Sequence, residues 1–443
     1  MRVRGSITAV LLATVLAPAL WAQGLPPVTP ASAGLASERL TRLERVIQGY
    51  VDRGQVAGAV TLIARRGGEA HLRAYGMADV NGGRAMQTDA IFRIASMTKP
   101  ISSVAVMMLY EEGHFRLNDP VSMYLPELGS LDVLHVTDTL TGAYAFVASE
   151  APVTIRHLLT HTSGISYRFL GSPAFAPSHE QRVLSGLYAD AGIEDGLAEH
   201  PGTIEDLVTR LGRLPLMHQP GAAFSYGLNV DVLGRLVEVI SGMSYDEFLE
   251  TRIFEPLGME DTYFYLPSDK AERLASLYSP SPNGVMEVEG TVGDRYLTYS
   301  ATYTTGEQRT YFPGGAGLAS TARDYSRFLQ MMLNGGELDG VRILSPVTVE
   351  LMTSDHIGEL PSGTVAPGSG GFGLGFAVVA SPSSAGDLLG SEGAYRWGGF
   401  FNTLFWVDPR EELIGVLMTQ VFPNATDIQD KFRIMAYQSI VER

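Results

Sequence analysis

Residues 91–113 read IFRIASMTKPISSVAVMMLYEEG, an apolar helix pattern with a serine and a lysine, Ser96 and Lys99, three positions apart at its head. Cβ atoms of an α-helix lean toward its N-terminus, so a side chain at i+3 reaches back over residue i, and Lys99 can touch the Ser96 hydroxyl. If Ser96 opens the helix, its hydroxyl and backbone N–H lie at the positive end of the macrodipole, where a developing oxyanion is stabilised. The same positive end, together with partial burial, disfavours a charged ammonium. Lys99 is therefore expected to accept the serine proton at ordinary pH, and the pair makes an acyl-transfer nucleophile. For Ser-x-x-Lys in isolation, a capping serine beside a solvated lysine is the simpler reading. The surroundings oppose it: the chain has only three lysines, Lys99, Lys270 and Lys431, and one at the start of so apolar a helix needs a partner or a function.

Working outward, 443 residues with 45% hydrophobic content suffice for a large core divided into two interleaved subdomains. A formal net charge of −16 without any basic run argues against nucleic acid and anionic membrane surfaces as partners, since such surfaces repel the chain. The opening MRVRGSITAVLLATVLAPALWAQG places Arg2 and Arg4 before an apolar stretch and small residues at Ala17, Ala19 and Ala22. That order predicts a secretory signal peptide over residues 1–22 and a periplasmic or secreted protein. The stretch from Ile7 to Trp21 is short for a bilayer-spanning helix and contains Pro18, so no stable membrane anchor is expected. With no cysteine in the chain, disulfides, a cysteine nucleophile and thiolate zinc sites are excluded.

SERLTRLERVIQGYVDRG (37–54) repeats Leu40, Leu43, Val46, Ile47 and Tyr50 at helical spacing. AGAVTLIARRG and EAHLRAYGMADV then predict a β-hairpin turning at Arg66 to Gly68. Strand patterns return in GFGLGFAVVA, FNTLFWVDP and EELIGVLMTQ, and DKFRIMAYQSIVER closes the chain as an amphipathic helix. If the terminal strands share one sheet, the intervening segment is a helix-rich insertion and a cleft runs along the junction.

Six blocks carry a family resemblance: FRIASMTKPISSVAVMMLYEEG, VTIRHLLTHTSGI, PGAAFSYGLNVDVLGRLVEVISG, IFEPLGMEDT, GGAGLASTARDYSRFLQMML and FNTLFWVDPREELIGVLMTQ. In this order, from about residue 35 to the end, the chain resembles the serine β-lactamase and penicillin-binding-protein superfamily. Within it, the similarity is to the branch uniting class C β-lactamases, D-alanyl-D-alanine carboxypeptidases and family VIII carboxylesterases. The resemblance implies an α+β fold: an antiparallel sheet flanked by helices, from about 35–95 and 310–443, with an all-helical subdomain inserted at about 100–309. It also implies that Ser96 is the nucleophile and that Tyr226, in FSYGLNVDVLG, is the phenol that moves protons with Lys99. Where the family has asparagine two places after the tyrosine, residue 228 is leucine; Asn229, one step on, reads either as a substrate contact or as an N-cap for the helix ending at Gly242.

The family's cationic strand motif falls at AYRWGGFFN, so Trp397, Gly398 and Gly399 line the substrate, as in the esterase branch. The resemblance makes this an edge strand whose glycines admit substrate to the backbone, and the Phe400 N–H completes an oxyanion hole with that of Ser96. Tryptophan replaces a charge with a flat apolar wall. Alternation along a strand points Arg396 away from it.

His157 and His161 stand at i, i+4, but no glutamate follows the first and no third ligand is evident, so packing and helix termination at Gly164 are expected, and neither metal nor cofactor. STARD (320–324) fits a capping box with Thr321 at the cap. No Gly-x-Ser-x-Gly elbow occurs, which counts against a serine, histidine and acid triad. The expected function is a secreted serine hydrolase of short-chain carboxylic esters, working on a small ester or lactam. The alternatives are a β-lactamase or D-alanyl-D-alanine carboxypeptidase, and a non-catalytic binding protein. Oligomeric state is not legible.

Overall fold

Gly58–Arg65 (β1) is buried at every position, the pattern of a strand covered on both faces. It belongs to an eight-stranded antiparallel sheet in the computed structural model, which describes residues 24–139, 141–307, 309–362, 370–381 and 389–443. The other strands are Gly68–Asp79 (β2), Arg84–Ala85 (β3), Gly370–Phe372 (β4), Ala377–Val379 (β5), Tyr395–Gly399 (β6), Thr403–Asp408 (β7) and Leu413–Met418 (β8). Their order across the sheet is β4-β5-β6-β7-β8-β1-β2-β3, so chain beginning and chain end meet where β1 pairs with β8, Val60 opposite Met418. The expected signal peptide lies outside the described residues.

Alternation divides the strands between two cores. Ala59, Ile63, Leu404, Trp406 and Leu417 pack beneath helices Ser37–Asp52 (α1) and Ile428–Gln438. Val60, Leu62, Phe405, Val407 and Val416 face the opposite way, onto Ala322–Leu333 and the helix that follows Ser96, Thr98–Glu111 (α2). Twelve of the fourteen α2 residues are buried, Lys99 among them.

The inserted segment holds helices, chiefly His179–Asp190, Ile204–Leu211 and Asn229–Ser241 (α3), but is not all-helical as expected. Three hairpins interrupt it: Asp132–Asp138 with Ala143–Ala148, Tyr278–Ser281 with Gly284–Glu287, and Thr291–Gly293 with Thr298–Ser300. Two local expectations also change. The helix carrying His157 runs Ile155–Leu159 and ends at Thr160 rather than at Gly164. Thr321 does cap its helix, accepting from the Asp324 N–H, but the Asp324 carboxylate turns instead to the Asp261 N–H and Thr262.

Candidate active site

Ser96 does not cap α2. It sits in a short 3-10 turn, Ala95–Met97, that leads into the helix, and Met97 at the cap position makes no side-chain cap. Ala95, just before it, has φ of 43°, a left-handed backbone that an L-residue adopts only when its surroundings impose it. The turn thus presents a half-buried Ser96 between fully buried neighbours.

Lys99, 1% exposed, reaches back to Ser96 with Nζ 3.2 Å from Oγ. Nζ also donates to the Gly315 carbonyl at 2.7 Å and lies over the ring faces of Tyr226 and Tyr167, 4.6 and 5.1 Å from their centroids. Burial pulls the amine's pKa below its ordinary value, and the buried carboxylate of Asp231 pulls the other way. His161, its ring tilted against Tyr226 with centroids 4.9 Å apart, is held neutral by burial and by the nearby Lys99.

Tyr226 comes from the segment ahead of α3, and its phenol lies within hydrogen-bonding reach of the Ser96 hydroxyl. The Trp397 indole N–H donates to the same phenol oxygen at 3.3 Å. Burial pushes the phenol's pKa up, while the contacts with Ser96 and Trp397 oppose the rise. Trp397 is therefore more than a wall: it packs on Tyr226 and on Phe372, ring centroids 5.4 Å apart in each case, and aims a donor at the phenol oxygen.

Strand β6 is not an edge strand, contrary to expectation, since β5 lies outside it. That pairing involves only Tyr395 and Arg396, opposite Val378 and Ala377, so Trp397–Gly399 keep an unpaired flank. Substrate backbone or carbonyl groups can dock there as they would on an edge. Gly399 has a steric reason: a Cβ on it would fall 2.3 Å from the Ile94 carbonyl oxygen, two residues before Ser96. Gly398 precedes it on the strand, and Phe400, whose N–H is the expected second oxyanion donor, follows it at the turn. Arg396 points elsewhere; its half-buried guanidinium is lowered in pKa by desolvation and by Arg433 beside it.

Asn229 is not the N-cap of α3. It is fully buried as the first residue of α3, with Leu228 at the cap position. Its amide faces inward: Nδ2 sits 2.9 Å from His161 Nδ1 and donates to the Ile165 carbonyl at 3.2 Å, while Oδ1 accepts from Ser163. Among the described residues no cluster of histidine and carboxylate side chains could hold a metal ion. Sequence reasoning missed Asp231, the buried acid two residues beyond Asn229, although a lone carboxylate in the first turn of an apolar helix is a legible signal.

The beta-lactamase family model matches residues 43–439. The chain is 32% identical to Esterase EstB of Burkholderia gladioli over 392 residues, 87% of this chain and 91% of that one. Among solved structures it is similar to EstCE1, described as a hydrolase with promiscuous acyltransferase activity, at TM-score 0.76 and 28% identity over 90% of this chain and 98% of that one. It is also similar to simvastatin synthase LovD from Aspergillus terreus, at TM-score 0.72 and 25% identity over 91% of this chain and 98% of that one.

Proposed function

Because this chain belongs to the beta-lactamase family, in which its relatives include esterases and acyltransferases, we propose that it is a secreted serine hydrolase of neutral, short-chain carboxylic esters that works through an acyl-enzyme on Ser96. The observation that carries this reading is the contact of Ser96 with a buried amine and a buried phenol, closed off by Trp397 where the resemblance leads one to expect a cation.

The chemistry follows from the contacts. Neutral Lys99 keeps one N–H on the Gly315 carbonyl, which leaves its lone pair for the Ser96 proton as Oγ attacks the ester carbon. The N–H groups of Ser96 and Phe400 receive the oxyanion, and Tyr226 hands its proton to the departing alkoxide and regains one from Lys99, so that amine and phenol are both neutral again when the acyl-enzyme stands. Water then attacks the acyl-enzyme and releases the acid; an alcohol in its place completes acyl transfer, the second activity described for EstCE1. A positioned base contributes about 10²–10⁴ in rate, and each oxyanion donor about 10²–10³.

Apolar surroundings support the substrate class. Phe400 stacks on Phe422 at 3.9 Å and meets Phe169 edge-on at 5.6 Å, so the ground beside Gly399 is aromatic. Export rests on the leader-like order of residues 1–22. Among the described residues no helix is long and apolar enough to cross a membrane.

Turnover of a p-nitrophenyl ester is to be compared with that of a chromogenic cephalosporin and a D-alanyl-D-alanine peptide, each with wild type and Ser96→Ala. Ester hydrolysis that exceeds the other two and vanishes in the variant supports the proposal. Preference for the cephalosporin or the peptide assigns the site to the lactam or cell-wall chemistry instead.

A further inference from the structure

Asp231 is a fully buried carboxylate that none of the steps above employs. Its Oδ1 accepts from the Gly315 N–H at 3.3 Å, and the carbonyl of that same residue accepts from Lys99 Nζ at 2.7 Å. One glycine therefore connects the acid to the amine. The next peptide back is held as well, because the Gly314 carbonyl accepts from Ser102 Oγ at 2.7 Å, one turn along α2 from Lys99. Gly315 has no room for a side chain: a Cβ would lie 2.5 Å from the Tyr167 hydroxyl and 2.6 Å from Asp231 Oδ2. These two buried oxygens converge on the bare glycine, and neither makes a hydrogen bond to a described residue.

We propose that Asp231 is the positioning residue for Lys99, clamping Gly315 so that its carbonyl holds the amine at Ser96 and setting a buried negative charge against that amine. The proposal rests on the Ser96 and Lys99 reading above. The other titratable groups around the pair are His161 and Tyr167 from the segment after Thr160, Tyr226 ahead of α3, Tyr245, Tyr311 and Asp195. Burial keeps the phenols and the imidazole uncharged at ordinary pH. Asp195 is raised to about 7 by burial, with Arg168 opposing, and its oxygens accept from the N–H groups of Arg168 and Phe169; it is common to wild type and variant.

The test is the rate at which a fluorophosphonate labels Ser96 in the full chain, measured across pH. The acid limb of that profile reports protonation of the base. Asp231 favours the charged amine, so Asp231→Asn, which keeps an acceptor for the Gly315 N–H, moves the limb to lower pH by about one unit. Below the limb the variant then labels about tenfold faster relative to its own plateau than wild type does. A limb that coincides with wild type overturns the proposal, since a purely structural carboxylate changes stability and leaves the profile in place. If Asp231→Asn does not fold, Gly315→Ala serves: its methyl displaces Asp231 Oδ2, and the limb shifts with a plateau at least tenfold lower, whereas an unaltered profile overturns the proposal. Wild type that labels elsewhere than Ser96 defeats the underlying reading and this inference together; normal Ser96 labelling with an unmoved limb defeats only the inference.

Discussion

Replacing Lys99 by methionine separates the charge from the space it fills. The side chains are similar in length, and the surroundings of Nζ, two tyrosine ring faces and a glycine carbonyl, accept a thioether without a void. The variant loses the hydrogen bond to the Gly315 carbonyl, about 0.5–1.5 kcal/mol for a neutral amine, and, where the amine is protonated, it also sheds the desolvation penalty of a buried ammonium, which amounts to several kcal/mol. These oppose each other, and the second fades as the amine loses its proton. The pH dependence comes from the two titrating groups. Lys99 has a native pKa below its unfolded value, so the unfolded chain binds more protons between the two, and wild-type stability rises with pH through that window. Asp231 has a native pKa above its unfolded value, so stability falls as pH rises between the two. Lys99→Met abolishes the first effect and, by removing the cation that lowers Asp231, extends the second to higher pH. The stability gap between wild type and variant therefore widens with pH, at about 1.4 kcal/mol per pH unit within each window. Urea unfolding followed by circular dichroism from pH 5 to 9 measures it, and Asp231→Asn with Lys99→Met/Asp231→Asn completes a double-mutant cycle that isolates the Asp231 contribution. Ester hydrolysis by Lys99→Met falls by about 10²–10⁴. A gap that stays constant from pH 5 to 9 refutes the claim that burial keeps this amine from its ordinary charge.

Two further outcomes are expected. Trp397→Lys restores a cation beside the unpaired flank of β6 and removes the indole donor to Tyr226; the ratio of cephalosporin to ester turnover rises at least tenfold, and an unchanged ratio contradicts the assignment of specificity to residue 397. Asn229→Ala strips partners from His161, Ser163 and the Ile165 carbonyl, lowering stability in urea by about 2–4 kcal/mol while KM for the ester stays within twofold. A KM rise without loss of stability returns Asn229 to the substrate side of the cleft.

What was legible in the sequence was what is local. Ser96 and Lys99 meet because helical spacing brings i and i+3 together; of the two glycines after Trp397, read as room for substrate, Gly399 also makes room for the Ile94 carbonyl, which the sequence did not announce. What was not legible depends on distant chain. The carbonyl that holds Lys99 belongs to Gly315, 216 positions away, and Asn229 is claimed by His161 and Ser163, 68 and 66 positions back. Counting backbone glycines could not show that β5 flanks β6 over two residues only. The hairpin at Asp132–Asp138 and Ala143–Ala148 left a signal in the alternation of DVLHVTD and the turn glycine Gly142, φ 75°, but a strand pair with its second strand exposed throughout lacks the burial pattern that marks a core strand.

The central claim is that acyl transfer passes through the Ser96 hydroxyl, and mass spectrometry of the chain after brief exposure to a fluorophosphonate tests it most directly. A single adduct on the peptide containing Ser96, absent from Ser96→Ala and formed at least a hundredfold more slowly by Lys99→Met, is the predicted result. An adduct on another serine, or equal labelling of Ser96→Ala, contradicts it.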